Sequence, residues 1–290
     1  MKPILHRLLL ALFLFGLLVR APAQLGPPKL AVAYGSNPAA GNYTVLDGIR
    51  LYYETYGDGP VMLQIHGNGG SIRDMGNQIQ FFSAHYRVIA ADSRGHGKSE
   101  IGTGHLTYEQ QAEDLNALLD ELQIKSAYVL GWSDGGIIGL LLAIHHPDKV
   151  AKLAVMGANL APEGAYEWAV AWVARQEKFV DEQIAKGAKT TGVPWFVLKQ
   201  HLDLLGSQPH IPVTDLNQIT APTLVMAGDK DVIRDDHTLT IFHNIPQAHL
   251  AIFPGATHMI AWENPDLFNQ TIETFFSKPY TRPDTKNFFK

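Results

Sequence analysis

The sequence predicts an α/β fold in which a mostly parallel central sheet is flanked by helices. Short apolar segments rich in strand formers recur along the chain, and one of them runs through a tight turn into an apolar helix. The predicted strands occupy residues 61–65, 127–130, 152–156, 222–227 and 250–253. Polar loops follow these strands. In a parallel sheet the carboxyl ends of the strands meet along one edge, where ligands bind.

The turn after the strand at 127–130 has the sequence GWSDGG, from Gly131 to Gly136. A serine between glycines at a strand-to-helix turn is typical of a nucleophile elbow, a strained turn that exposes the serine hydroxyl above the sheet edge. Gly131 and Gly135 lack the bulk that would keep the strand and helix backbones apart. The pattern predicts that Ser133 is a nucleophile, and the alternative is a serine in an ordinary tight turn.

A serine nucleophile needs a histidine as base and an acid that orients the histidine. Asp229 and Asp231 follow the strand at 222–227, and His258 follows the strand at 250–253. Because the chain has 13 histidines, His258 is selected by its position after a strand and not by its residue type. Either aspartate lies in a loop that could supply the acid.

Several motifs together resemble the α/β-hydrolase superfamily, over roughly residues 43 to 278. They are HGNGG at 66–70, DSRGHGKS at 92–99, the elbow, GDKD at 228–231 and PGATH at 254–258. The resemblance implies that Ser133 is the nucleophile, that Asp231 and not Asp229 is the acid, and that His258 is the base. It also implies an oxyanion hole formed by the backbone N–H groups of Asn68 and Asp134, with no cofactor.

Two shorter motifs, GWSDGGI at 131–137 and GAN at 157–159, resemble the biphenyl hydrolase-like (valacyclovir hydrolase) branch of that superfamily. Members of this branch cleave esters of α-amino acids, and the resemblance implies that Asp134 contacts the ammonium group of the substrate. A carboxylate beside the nucleophile would stabilise a cation. Trp132 and Gly67 are further candidates for substrate binding at the predicted site.

The sequence therefore predicts an exported serine hydrolase that cleaves a carboxylic ester of a small molecule through an acyl-enzyme intermediate. A carbon–carbon bond hydrolase or a lactonase with the same triad is the alternative enzyme. A non-catalytic ligand-binding protein on the same scaffold is the alternative from another class. A dinucleotide-binding loop is disfavoured, since Ile72 occupies the last position of the glycine pattern that begins at Gly67.

The amino terminus has the pattern of a signal peptide over residues 1–23, with an apolar run followed by Ala21-Pro22-Ala23. The run from Leu8 to Val19 is shorter than the ~20 residues that span a bilayer, so cleavage and no stable membrane anchor are expected. The predicted location is therefore secreted or periplasmic. Residues 24–42 are predicted to be a flexible lead-in, and residues 43–290 a single domain with a helical cap at about 160–215.

Composition excludes several classes of protein. Cleavage would remove Lys2, Arg7 and Arg20 and lower the formal net charge from −5 to −8, which argues against a nucleic-acid partner. The chain has no cysteine, so core packing must supply its stability without disulfides. No histidine or cysteine pattern typical of a metal site is present, and no metal is expected. The sequence does not specify an oligomeric state.

Overall fold

The computed structural model describes residues 30–190 and 192–289, so the predicted signal peptide and residues 24–29 lie outside the described residues. One central eight-stranded sheet confirms the predicted α/β class. Its strands are β1 (Gly41–Leu46), β2 (Ile49–Tyr56), β3 (Val61–Ile65), β4 (Arg87–Ala91), β5 (Ala127–Trp132), β6 (Val150–Met156), β7 (Thr223–Lys230) and β8 (Ala248–Thr257).

The strands lie in the order β1-β2-β4-β3-β5-β6-β7-β8. Strands β3 to β8 pair in parallel, whereas β1 and β2 form an antiparallel edge. Asp47 and Gly48 connect β1 to β2 with φ angles of 45° and 74°. Asp-Gly with two positive φ angles is the preferred sequence for a two-residue hairpin turn. The sheet is thus mostly parallel, as predicted.

Helices cover both faces of the sheet. The α-helices of the described chain are α1 (Gly76–Phe82), α2 (Tyr108–Glu121), α3 (Asp134–His145), α4 (Glu167–Ala185), α5 (Trp195–Ser207), α6 (Asp235–Asn244), α7 (Ile260–Glu263) and α8 (Pro265–Phe276). Helices α2, α3 and α6 pack on one face, and α1 and α8 pack on the other. Within β5, Val129 is buried against the first face and Leu130 against the second. A central strand buried on both faces explains its continuous apolar sequence.

Helices α4 and α5 occupy the interval in which a helical cap was predicted. Helix α5 lies over the loops at the carboxyl ends of β3 and β4. The His201 ring donates from Nε2 to the Gly95 carbonyl at 2.9 Å, and the Gln200 side chain accepts from the Leu106 N–H at 2.8 Å. The Asn68 side chain donates to the His201 carbonyl at 2.9 Å. These bonds place α5 beside the edge of the sheet at which the predicted site lies.

Across residues 30–190 and 192–289, no helix has the length and apolar character needed to cross a membrane.

In the described part of the predicted lead-in, residues 30–40 form turns and bends held against the sheet by Glu54, and residues 41 and 42 begin β1. This carboxylate is fully buried in β2 and accepts from the backbone N–H groups of Gly35 and Asn37 at 2.8 and 3.0 Å. The hydroxyls of Tyr52 and Tyr56 also donate to it, at 2.6 and 2.7 Å. Four donors satisfy the buried carboxylate and tie these residues to the fold.

Candidate active site

Ser133 occupies the single-residue turn between β5 and α3, with φ 58° and ψ −121°. A positive φ is costly for a residue with a Cβ, so the turn is strained, as the sequence predicts. A Cβ at Gly131 would clash with the Gly135 carbonyl, and a Cβ at Gly135 would clash with the Ile65 carbonyl. The two glycines therefore permit the close approach of α3 to β5 and β3 that the turn requires.

Ser133, His258 and Asp231 form one hydrogen-bonded chain although they lie far apart in the sequence. The His258 Nε2 atom is 2.9 Å from the Ser133 Oγ atom, and its Nδ1 atom is 2.6 Å from the Asp231 Oδ1 atom. Because ionised Asp231 only accepts, Nδ1–H donates to it and Nε2 is left to accept from the Ser133 hydroxyl. The imidazole is thus in the tautomer that a general base needs.

Asp231, and not Asp229, is the aspartate that contacts His258. Asp231 follows the last residue of β7, where its carboxylate also accepts from the backbone N–H groups of Ile233 and Gly228 at 3.1 and 3.3 Å. These two bonds orient the carboxylate toward the imidazole. The geometry distinguishes the two aspartates, which the loop sequence by itself does not.

Burial and charge have opposite effects on the pKa values of His258 and Asp231. Burial disfavours the charged form of His258, but the charge and hydrogen bond of Asp231, together with the charge of Asp134, outweigh it and raise the pKa of His258. Burial likewise disfavours ionised Asp231, and the His258 charge and hydrogen bond outweigh it and lower its pKa. Each partner stabilises the charged form of the other.

The residues predicted for the oxyanion hole lie beside Ser133. Asp134 is the first residue of α3, and the first N–H groups of a helix have no acceptor within the helix. Asn68 lies in the loop after β3, beside Gly67, at which an added Cβ would lie 3.1 Å from the Ser133 Cβ atom and 3.7 Å from its Oγ atom. Gly67 thus brings this loop close to Ser133, whereas a side chain there would occupy the space in front of the nucleophile.

The Asp134 side chain is buried directly behind the Asn68 loop. It is 4% exposed, and its Oδ2 atom accepts from the Asn68 Nδ2 group at 2.8 Å. Its Oδ1 atom is buried without a hydrogen-bond partner. Burial raises the pKa of Asp134 to about 6, although the Asn68 bond, the nearby Tyr108 hydroxyl and the charges of His66 and His258 act to lower it. At pH 7 and above Asp134 is therefore mostly a carboxylate.

Trp132 does not have the substrate-binding position predicted for it. Its side chain is 5% exposed and packs edge-to-face on Trp262, with ring centroids 5.1 Å apart. Its indole Nε1–H donates to the backbone carbonyl of His258 at 2.9 Å. The structure corrects the prediction, because strand alternation directs this side chain into the core on the α1 and α8 face.

The structure adds Gly157, immediately after β6, to the site residues. It has φ +62°, and a Cβ there would lie 2.6 Å from the His258 Nδ1 atom. The imidazole therefore packs directly on this backbone. The sequence signal was a glycine at the end of a predicted strand, in the GAN motif at 157–159.

Two histidines in the neighbouring loops hold backbone in place. His66 Nε2 accepts from the Ser93 N–H at 3.0 Å while its Nδ1 donates to the Gly67 carbonyl at 2.8 Å. His96 Nδ1 donates to the Arg94 carbonyl at 3.0 Å. Within the part of the chain that the structure describes, no group of three histidine or acidic side chains is arranged to hold a metal ion.

Comparison with known proteins agrees with this architecture. A family model described as the alpha/beta hydrolase fold matches residues 60–217. The chain is 29% identical over 258 residues to 3-oxoadipate enol-lactonase 2 of Acinetobacter baylyi, covering 79% of this chain and 94% of that protein. It is 26% identical over 270 residues to serine hydrolase BPHL of Homo sapiens, covering 84% and 89%. A solved meta-cleavage product hydrolase from Pseudomonas fluorescens IP01 superposes with TM-score 0.67 at 22% identity, covering 83% of this chain and 99% of that one.

The region that matches the family model is more than half of the chain, and it includes β3, the elbow and both cap helices. The similarity to BPHL confirms the resemblance that the GWSDGGI motif indicated. These matches indicate a hydrolase of a class that acts on esters, lactones or carbon–carbon bonds. The chain is a hydrolase that belongs to the α/β-hydrolase family.

Proposed function

We propose that this protein is a serine hydrolase that cleaves carboxylic esters of small molecules through an acyl-enzyme intermediate. The observation that carries the proposal is the hydrogen-bonded chain from Ser133 through His258 to Asp231, with the serine in a strained elbow. Nucleophile, base and orienting acid within hydrogen-bond reach are the arrangement that acyl transfer requires.

The reaction follows from the geometry. His258 Nε2 takes the hydroxyl proton as Ser133 Oγ attacks the ester carbonyl carbon, and the N–H groups of Asn68 and Asp134 donate to the developing oxyanion. His258 then transfers that proton to the leaving alkoxide, the acyl–oxygen bond breaks, and the alcohol departs. Water attacks the acyl-enzyme and gives its proton to His258, which returns it to Ser133 Oγ as the carboxylic acid leaves. Asp231 holds the imidazole and stabilises its charged form.

We further propose that the substrate carries a positive charge near its acyl carbon, as an α-amino-acid ester does. Asp134 supports this, because it directly follows Ser133 in the chain and its carboxylate is buried beside the Asn68 side chain. A buried charge attracts a cation more strongly than an exposed one and repels an anionic acyl group. A lactone is the second candidate, favoured by the 29% identity to an enol-lactonase. Its opening uses the same steps, with the leaving alkoxide still tethered to the acyl group.

Labelling with a fluorophosphonate tests the nucleophile. Purified wild-type protein is expected to gain one adduct by intact-mass spectrometry, and Ser133→Ala none, because only an activated serine reacts at an appreciable rate. If folded wild-type protein stays unlabelled, the non-catalytic ligand-binding alternative is favoured over the enzyme.

We also propose export, and the same mass spectrum tests it. Protein expressed with its leader should begin at Gln24, and an intact amino terminus would contradict cleavage.

Asp134→Asn tests the proposed charge on the substrate. Benzyl esters of alanine and of propionic acid differ only in the ammonium group, so they form a matched pair. At pH 7 the variant is expected to lose at least about tenfold in kcat/KM for the alanine ester, about 1.4 kcal/mol, and much less for the propionate ester. Its amide oxygen still accepts from Asn68. In wild-type protein the preference for the cationic ester should weaken as the pH falls through about 6, where Asp134 becomes protonated. Equal losses for both esters would refute the charge-recognition role.

A further inference from the structure

We propose that Trp132 is a positioning residue for the base of the proposed reaction. The inference rests on the proposed function and starts from a feature that the triad leaves unexplained. His258 lies in a short turn between the end of β8 at Thr257 and the start of α7 at Ile260. Its imidazole must stay within hydrogen-bond reach of Ser133, so the backbone of this turn must be held relative to the elbow.

The indole of Trp132 makes that connection. Its Nε1–H donates to the His258 carbonyl at 2.9 Å across 126 positions of sequence, and Trp132 directly precedes Ser133. Trp132 thus holds the main chain of His258, and the next residue, Ser133, hydrogen-bonds to its side chain at Nε2. Two attachments at different atoms of one residue restrict both its translation and the rotation of its ring.

The opposite side of the turn is held independently. Glu263 accepts from the backbone N–H and the hydroxyl of Thr257 at 3.0 and 2.7 Å, and that hydroxyl accepts from the Met259 N–H at 3.1 Å. These bonds shape the turn but do not attach it to the elbow. The indole bond joins the His258 backbone to the last residue of β5, which directly precedes Ser133.

The indole itself has little freedom. It is 5% exposed and packs edge-to-face on the ring of Trp262. Because the Trp132 indole is fixed in the core, its hydrogen bond also restrains the His258 carbonyl. Packed residues that hold a catalytic side chain in place act in this way. The proposal predicts that loss of the indole N–H displaces the imidazole without removing any group that touches the substrate.

Trp132→Phe tests this, with Trp262→Phe as the matched control. Both variants keep an aromatic ring and lose one indole bond to a backbone carbonyl. Trp132→Phe loses the 2.9 Å bond to His258, whereas Trp262→Phe loses a 2.8 Å bond to Asp74. Trp132→Phe is expected to lower kcat about 10- to 100-fold with little change in KM, because small misplacements of catalytic groups have effects of this size. Trp262→Phe should keep kcat near that of the wild type.

A second measurement needs no substrate. Nuclear magnetic resonance titration of the His258 ring in free protein should show a lower pKa in Trp132→Phe than in the wild type, because a displaced imidazole has a weaker bond to Asp231. Trp262→Phe should titrate like the wild type. Unchanged kcat and titration in Trp132→Phe would overturn the proposal, and so would equal losses in both variants. If wild-type protein fails to react with the fluorophosphonate, the proposed function fails, while the titration still reports on the positioning of His258.

Discussion

Asp231→Asn is expected to lower kcat for ester hydrolysis about 10⁴-fold, with KM little changed. The carboxylate accepts the Nδ1–H of His258 at 2.6 Å and so leaves Nε2 free to accept the Ser133 proton. An amide at this position has N–H groups of its own to donate to Nδ1, which favours the wrong tautomer and removes the charge that stabilises the imidazolium. Steady-state kinetics on any ester that wild-type protein turns over will measure the effect.

Asp229→Asn is the matched control, because it makes the same chemical change two residues earlier, near the end of β7. Asp229 makes no hydrogen bond to His258 in the described structure, so near wild-type kcat is expected. A large loss in Asp229→Asn with a small loss in Asp231→Asn would reverse the assignment of the acid.

The pH dependence of Asp231→Asn provides an independent check. His258 is a base only when neutral, so kcat/KM should fall as the pH drops through its pKa, which lies above the ordinary value of 6.5. Asp231 is a principal cause of that raised pKa. In Asp231→Asn the residual kcat/KM should therefore begin to fall at a lower pH than it does in the wild type. If kcat/KM falls at the same pH in the variant and the wild type, the electrostatic role of the carboxylate is contradicted.

Gly157→Ala is expected to lower kcat/KM about 100-fold or more, because it displaces the base. The added methyl group would lie 2.5 Å from the His258 Cε1 atom and 2.6 Å from Nδ1, closer than nonbonded atoms approach. The ring must move, and it cannot do so while keeping both the 2.6 Å bond to Asp231 and the 2.9 Å bond to Ser133. Fluorophosphonate labelling should slow in parallel with turnover.

Gly187→Ala separates this steric effect from backbone strain. Gly187 has φ +59°, close to the +62° of Gly157, but an added Cβ would meet nothing within 4 Å. Both variants incur the cost of a left-handed alanine, roughly 1–2 kcal/mol, and their urea unfolding curves show whether the fold survives. Near wild-type turnover in Gly187→Ala is expected. Full activity in Gly157→Ala would show that the imidazole does not depend on this close approach.

Much of the fold was predictable because its signals are local. The apolar run of β5, the glycines of the elbow and the apolar sequence of α3 are contiguous, and the structure places the turn at Ser133 as predicted. The cap helices fall within the interval that lacks strand patterning. The β1–β2 hairpin and helix α2 were not predicted, although both have local signals. These are Asp47-Gly48 and the Thr107 N-cap, which accepts from the Gln110 N–H at 3.0 Å.

The amino-acid sequence by itself predicted the α/β class, the elbow serine and the candidate acid and base, because each depends on a local motif in which a polar loop follows an apolar strand. Tertiary structure distinguished Asp231 from Asp229 as the partner of His258, placed the Trp132 side chain in the core with its N–H on the His258 carbonyl, and placed Gly157 against the imidazole. Each of these depends on contacts between segments separated by 27 to 126 positions. Such contacts exist only once the sheet has brought its strand ends to one edge, so no local pattern encodes them.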